Sequence, residues 1–258
     1  MNLKCRSSGL KPNLAVLVAT VRALKLHGGG PPVKPGQQLA GAYTDESLEL
    51  VAEGCANMVR HIHNTKAFGI PVVVAINSFP TDTPAELELV RAAAIHAGAE
   101  DAVVCAHHSQ GGAGAVDLAL AVEKVCAGNA AAADFKLLYP PELPIKDKIT
   151  KIATDLYKAG AVEFSPKAEE QIALFTAQGF GHLPICMAKT QYSFSHDANL
   201  KGAPEGFTIP VDEVRCSAGA GFIVALVGAF PTIPGLPTRP AYYEIDIDVV
   251  TGKVVGLS

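Results

Sequence analysis

Three stretches of the sequence gather the residue types that could grip a small polar ligand. The first is Thr20-Val21-Arg22-Ala23-Leu24-Lys25-Leu26-His27-Gly28-Gly29-Gly30, the second Asn77-Ser78-Phe79-Pro80-Thr81-Asp82-Thr83, and the third Ala106-His107-His108-Ser109-Gln110-Gly111-Gly112-Ala113-Gly114. In the first, three glycines let backbone approach a ligand closely, and Arg22, Lys25 and His27 beside them could hold a phosphate or carboxylate. A flexible surface loop with solvated charges has the same composition. In the second, Asn77 and Asp82 are placed to read a base, or to cap a turn. Phe79 offers a flat ring for stacking on a heterocycle, or packs as a satellite of the core. In the third, His107 and His108 are adjacent, so their side chains diverge and share one metal poorly. His61 and His63, two apart on an expected helix, face different sides.

A fourth segment, Pro184-Ile185-Cys186-Met187-Ala188-Lys189-Thr190-Gln191-Tyr192-Ser193-Phe194-Ser195, packs a lysine, hydroxyls, an amide and aromatics into twelve positions, a density unusual for a buried strand. Ser217–Gly221 then offers small residues where a ligand or a strand edge could come close. There is no G-x-S-x-G elbow to link a serine to a base, no G-x-x-x-x-G-K-[ST], and no G-x-G-x-x-G between a strand and a helix. The chain therefore lacks a self-sufficient nucleotide fingerprint.

The elements that must position these residues are legible in the hydrophobic pattern. Ala15–Ala19, Pro71–Ile76 and Asp101–Cys105 are short, β-branched apolar runs, as buried parallel strands require. Between the first two, Leu48, Val51, Cys55, Met58 and Ile62 repeat at three- and four-residue spacing, predicting a helix over about 45–67. Thr83-Pro84-Ala85-Glu86 is a capping box with proline at the first helical position. A third helix is expected from Gly114 to about Cys126. In such a sheet ligands bind beyond the carboxyl ends of the strands, where the three polar stretches begin. Gly128–Asp134 is small and featureless and reads as a boundary. After it, helices are expected over about 145–158 and 166–178, followed by strand-like segments at 221–227, 241–247 and 253–256.

The bulk numbers exclude several classes. With 258 residues and 49% hydrophobic residues the chain folds into a globular core. A net charge of −4, without a basic stripe, argues against a nucleic-acid partner. The six cysteines form no C-x-x-C pair and read as reduced thiols. No apolar run reaches the roughly 20 residues of a membrane span, and Met1–Pro12 has no hydrophobic signal core.

Taken together, LVATVRALKLHGGG, PVVVAINSFPTDT, AHHSQGGAGA, LPICMAKTQYSFSHD, SAGAGFI and TIPGLPTRPAYYEIDID resemble, in order, the motifs of formate–tetrahydrofolate ligases, from about Lys4 to Leu257. The terminal GLS is similar to that family's GLF, which implies a native C-terminus. The resemblance implies an α/β fold, with a partial parallel sheet of a P-loop NTPase-like domain over 1–133 followed by an α+β domain over 134–258. It implies that the P-loop and the formate-binding residues belong to a preceding half, so no catalytic residue is assigned here. The activity implied is phosphorylation of formate by ATP with Mg2+, followed by attack of tetrahydrofolate N10 on formyl phosphate. Folate contacts are implied for Phe79, Pro80 and His108, and nucleotide contacts for Thr20, Arg22, Lys25, His27, Gly28, Gly29, Asn77 and Asp82. A non-catalytic folate- or subunit-binding module is the alternative. The expected partners are small-molecule substrates, with self-association or dependence on a chain carrying the first half. The expected compartment is the cytoplasm, with mitochondria or plastids compatible. An exposed apolar scar is expected where the first half would dock. Two departures remove rings: the family commonly has tryptophan at the Ala106–His108 position, where this chain contains none, and often tyrosine at Ser7.

Overall fold

The computed structural model describes residues 1–33, 39–128, 134–228, 239 and 241–256. Its first half is built on β1 (Ala15–Ala19), β2 (Val72–Asn77) and β3 (Asp101–Cys105), ordered β1-β2-β3 and parallel throughout. Central β2 carries three consecutive valines, all fully buried, because helices or loops cover both of its faces. The register pairs Ala19 with Ile76, Ile76 with Val104, and Asn77 with Cys105. All three strands therefore end at one rim, and the segments after them start side by side; the Ser78 amide donates to Cys105 O at 3.0 Å.

The helices follow from their caps. After α1 (Lys4–Ser8), which stops at Gly9 with φ +69°, come α2 (Val21–His27) and α3 (Gly41–Thr44). Then α4 (Leu48–Lys66) starts at Ser47, and α5 (Pro84–His96) starts in the expected reciprocal box of Thr83 and Glu86. α6 (His107–Gln110) is one turn and runs through a 3₁₀ segment into α7 (Val116–Gly128). Val51, Cys55, Met58 and Ile62 of α4 face the sheet, as their spacing requires.

One expectation is corrected here. The stretch from Thr20 to Gly30 is not a loop: Thr20 Oγ1 accepts the Ala23 amide at 3.1 Å and starts α2, whose Val21 and Leu24 join the core. A hydroxyl before an apolar pair is an N-cap signal, and the triple glycine that follows obscured it. Gly28 is correspondingly needed for helix packing. A Cβ there would stand 1.9 Å from Leu50 O, and one at Gly54 would stand 1.8 Å from Leu24 O, so α2 and α4 cross at backbone contact.

The second core gathers Tyr139, Ile145, Ile149, Ile172, Ile209 and Ile223. The helix expected over about 145–158 is α8 (Ile145–Lys151) widening into a π turn at Ile152–Leu156. α9 (Pro166–Ala177) begins at the Ser165 cap and ends before Gly179, where φ is +84°. The strands are more numerous than expected: β4 (Ala161–Phe164) pairs in parallel with β6 (Thr208–Val211), and β8 (Phe222–Leu226) pairs in parallel with β5 (Ile185–Ala188) and antiparallel with β7 (Glu213–Ser217). The strand expected at 241–247 is instead a 3₁₀ turn, Ala241–Tyr243, before β9 (Asp246–Ile247), which pairs with β10 (Val254–Val255). Much of the Gly128–Asp134 boundary, most of the TIPGLPTRP motif and the last two residues of the GLS ending lie outside the described residues.

The two cores meet through polar contacts. Asn57 Nδ2 donates to Gly202 O at 2.8 Å, the Gly202 amide donates to His27 Nδ1 at 3.2 Å, and Arg60 pairs with Glu205. On β1, at the edge of the described sheet, Val16 and Val18 share one face and are 43% and 64% exposed.

Candidate functional site

At the rim, the chain after β2 closes a tight turn: the Phe79 amide donates to Asp82 Oδ2 at 2.8 Å, and the Asp82 amide donates to Phe79 O at 3.0 Å. This holds the half-buried Phe79 ring beside the first turn of α2, where the Arg22 guanidinium carbon lies 3.9 Å from the ring centroid. Arg22 Nη2 also donates to Thr81 Oγ1 at 3.4 Å. Burial pushes the Asp82 carboxyl up, against the Phe79 amide and the Arg22 charge, which pull it down.

Three polar atoms of this cluster are buried without a hydrogen-bond partner among the described residues: Arg22 Nε, Asn77 Oδ1 and Asp82 Oδ1. Leaving such an atom unsatisfied costs about 1–3 kcal/mol, so the rim segment that carries these atoms completes its bonding with water or a ligand. One donor and two acceptors beside an aromatic face suit a flat, polar heterocycle.

Behind this cluster lies a buried ion pair. Lys25 Nζ is 2.7 Å from Glu86 Oε1 and also donates to Asp45 O at 2.7 Å; the side chains are 1% and 0% exposed. Glu86 further accepts the Ser47 amide at 2.8 Å and the Thr83 amide at 3.1 Å. Burial alone would raise its carboxyl, but the Lys25 hydrogen bond and those two amides outweigh it and hold the pKa below its ordinary 4.5. The ion pair therefore ties α2 to the starts of α4 and α5, and so fixes where Arg22 stands over Phe79.

A cavity of 730 Å³ opens beside α2, lined by Arg22, Leu26, Gly29 and Gly30 and closed by Tyr43 and Tyr192. That volume falls within the roughly 300–1,000 Å³ range of ligand pockets. The Tyr43 hydroxyl is bound to Pro31 O, which fixes the ring as a wall.

Compared with known proteins, the whole chain, residues 1–258, matches the family model described as formate--tetrahydrofolate ligase. The chain belongs to the formate–tetrahydrofolate ligase family. It is 59% identical over 258 residues to the formate--tetrahydrofolate ligase of Arabidopsis thaliana and 57% to that of Spinacia oleracea, covering all of this chain and 40% of each relative. It is 58% identical over 257 residues to the cytoplasmic C-1-tetrahydrofolate synthase of Drosophila melanogaster, covering 26% of that protein. The chain thus spans two fifths or less of the length of these relatives.

For a ligase-family chain, the sites expected from sequence divide by location. Arg22, Phe79, Asn77 and Asp82 carry the rim cluster, with Pro80 exposed at the tip of the turn. Gly29, with φ +102° and no atom near its missing Cβ, lines the large cavity. Thr20 is occupied as a cap. Lys25 points inward, with its Nζ 2.7 Å from Glu86 Oε1 and donating to Asp45 O; its geometry is that of a positioning residue. Gly28 faces Leu50. His27 turns away from the rim toward Gly202. His108 is exposed on α6, with the exposed His107 beside it. Tyr43, Tyr192 and Lys201, not singled out individually from sequence, also line the large cavity; the density of Pro184–Ser195 was the signal for Tyr192, whereas nothing local marks Tyr43.

Proposed function

We propose that this chain supplies the folate-facing and base-facing part of an ATP-dependent formate–tetrahydrofolate ligase, with the phosphate-gripping P-loop half on the portion of the relatives it does not span. The observation that carries the reading is the trio of unpartnered buried atoms around Phe79. The pteridine ring stacks on Phe79 against the exposed Pro80; Arg22, Asn77 and Asp82, expected from sequence to meet the nucleotide, are assigned to the folate instead, with Asn77 Oδ1 and Asp82 Oδ1 accepting its N–H groups and Arg22 Nε donating to its carbonyl oxygen. His108 offers an imidazole at the edge of the same rim. The cavity of Leu26, Gly29, Gly30 and Tyr43 takes the adenosine portion of ATP. Gly28 and Lys25 support that wall from behind.

Stacking of a flat ring on an aromatic side chain contributes about 1–3 kcal/mol, enough to orient the N10 of tetrahydrofolate toward formyl phosphate arriving from the other half. Phosphorylation makes a formate oxygen a leaving group, and the reaction then needs N10 and the formyl carbon held in line. Among the described residues no group of three His, Cys, Asp or Glu side chains is gathered to hold a metal. The Mg2+ expected with ATP would take its ligands chiefly from the phosphates, and no residue here is assigned to it.

The division into a 1–133 unit and a 134–258 unit, the P-loop NTPase-like nature of the first sheet, and a cytoplasmic setting belong to the same proposal. Two separate buried cores support the division. The exposed face of Val16 and Val18 on the edge strand β1 supports packing of a further element from the portion of the relatives that the chain does not span.

Calorimetry with tetrahydrofolate tests the site, and mixing with a chain carrying the P-loop half tests the activity. Tetrahydrofolate binding that Phe79→Ala abolishes, together with ATP- and formate-dependent 10-formyltetrahydrofolate formation in the mixture, is the expected result. Binding without turnover in the mixture favours a folate-binding module. Absence of both overturns the reading.

A further inference from the structure

A second, smaller cavity of 330 Å³ lies between the two cores, on the other side of α2 from the rim cluster. It is walled by His27 from α2, Asn57 and His61 from α4, and Lys189, Gln191 and Ser193 from the segment after β5, with Tyr157, Met187 and Phe194 completing it. The chain around Lys189–Phe194 separates the two cavities: Tyr192 lines the large one, while its neighbours Gln191 and Ser193 line the small one.

The polar chemistry of this cavity is one-sided. Two imidazoles, one ammonium and two carboxamides line it, and no carboxylate does. His27 Nδ1 accepts the Gly202 amide, so the neutral ring must carry its proton on Nε2 and has only that donor left to offer. Protonating Nδ1 would set N–H against N–H, and burial, with the Lys201 charge, lowers the His27 pKa as that arrangement demands. Lys189 Nζ donates to Thr190 O at 2.9 Å and to Ser193 O, which leaves the third of its three protons. Asn57 uses one amide proton on Gly202 O and retains the other. Among the described residues, His61 makes no side-chain hydrogen bond; its exposed ring rests 4.7 Å from Phe194 at the cavity mouth. Burial also pulls the Lys189 pKa down to about 8, the cost of holding an ammonium in this enclosure without a counter-charge.

From these donors we infer that the cavity between the cores is an oxyanion site, in which Lys189, His27 Nε2, Asn57 Nδ2 and His61 together bind a phosphate or carboxylate group. The occupant bridges α2 and α4 of the first core to the Lys189 segment of the second, so binding ties the cores together. The site stands independently of the folate reading, since none of its ligands belongs to the Phe79 cluster. Its volume sits at the small end of the ligand-pocket range and its walls include Met187 and Tyr157, so a single anionic group with a short organic arm fits as well as a free ion.

The test titrates the full chain, at constant ionic strength, separately with inorganic phosphate and with glutarate, following the His27 and His61 imidazole resonances by NMR and the heat by calorimetry. Saturable one-to-one binding of either anion that shifts both imidazoles is expected. Phosphate binding alone names a phosphate source, and glutarate binding alone names a carboxylate source. A charge-assisted hydrogen bond is worth about tenfold or more in affinity, so Lys189→Gln should weaken binding at least that much. His61→Gln, at the exposed mouth where the fold is not at stake, should weaken it severalfold, while Phe79→Ala should leave it unchanged. The absence of saturation with both anions, or affinity untouched by His61→Gln and Lys189→Gln alike, overturns the inference. Either result leaves tetrahydrofolate binding at the rim to be judged separately.

Discussion

Replacing Glu86 with alanine should be the most damaging single change to the framework of the site. In the folded chain Glu86 is fully buried, neutralises Lys25 at 2.7 Å, and accepts the amides of Ser47 and Thr83. Its removal strands an ammonium that is 1% exposed and keeps only the Asp45 carbonyl. Breaking one partner out of a buried ion pair costs about 3–5 kcal/mol. At roughly 2–4 °C per kcal/mol for a chain of this size, the thermal midpoint should fall by roughly 6–20 °C. Thermal and urea denaturation followed by circular dichroism, run on Glu86→Ala, Lys25→Met and the Lys25→Met/Glu86→Leu double variant, measure the two quantities. The double variant should lose markedly less than the sum of the singles, because it leaves no orphaned charge. Tetrahydrofolate affinity should fall in Glu86→Ala even where the protein remains folded, since α2 and the Phe79 turn are no longer tied. A loss in Glu86→Ala below about 1 kcal/mol, or strict additivity in the cycle, would refute the role given to this pair.

Other outcomes follow from the same structure. Gly54→Ala should destabilise the chain by about 1–3 kcal/mol through overpacking, despite alanine's better helix propensity, because its Cβ would meet Leu24 O at 1.8 Å; urea melts show this directly. Arg22→Ala and Phe79→Ala should each weaken tetrahydrofolate binding about tenfold with little change in the melting midpoint, as calorimetry and thermal scans would report. As pH falls below the ordinary glutamate value of 4.5, stability contributed by the lowered Glu86 pKa should be lost, and Glu86→Gln should flatten that slope in acid titrations. Lys148, fully buried against Gly181 O and Leu183 O, has its pKa pulled from 10.5 to about 8 by burial and by the Arg6 charge. The unfolded chain then holds more protons between those values, so stability should rise from pH 8 to pH 10 by about 2 kcal/mol, and Lys148→Met should remove that rise.

The pattern of residues along the chain was enough to determine the first sheet and its direction. Three β-branched runs separated by capped, amphipathic helices leave parallel pairing as the way to bury them, and parallel strands must end at one rim. The Thr83-Pro84-Ala85-Glu86 box was equally readable, because a cap is a local interaction among neighbours in sequence. The same run of residues concealed the use of Glu86 against Lys25, which lies 61 positions away and becomes a partner only when α2 and α5 pack. Along the sequence Arg22, Lys25, His27 and Gly28 are equivalent members of one polar, glycine-rich stretch. Once α2 forms, its turn sends Arg22 to Phe79, Lys25 into the core, His27 to the second cavity and Gly28 against α4. Sequence thus determined which chemical groups are present and which short segments become strands and capped helices, since those depend on period and nearest neighbours. Tertiary packing alone decided which groups meet, because the orientation of α2 and the approach of Gly202 and Lys189 from the second core depend on contacts between residues far apart in sequence, 61 positions for Lys25 and Glu86 and 175 for His27 and Gly202.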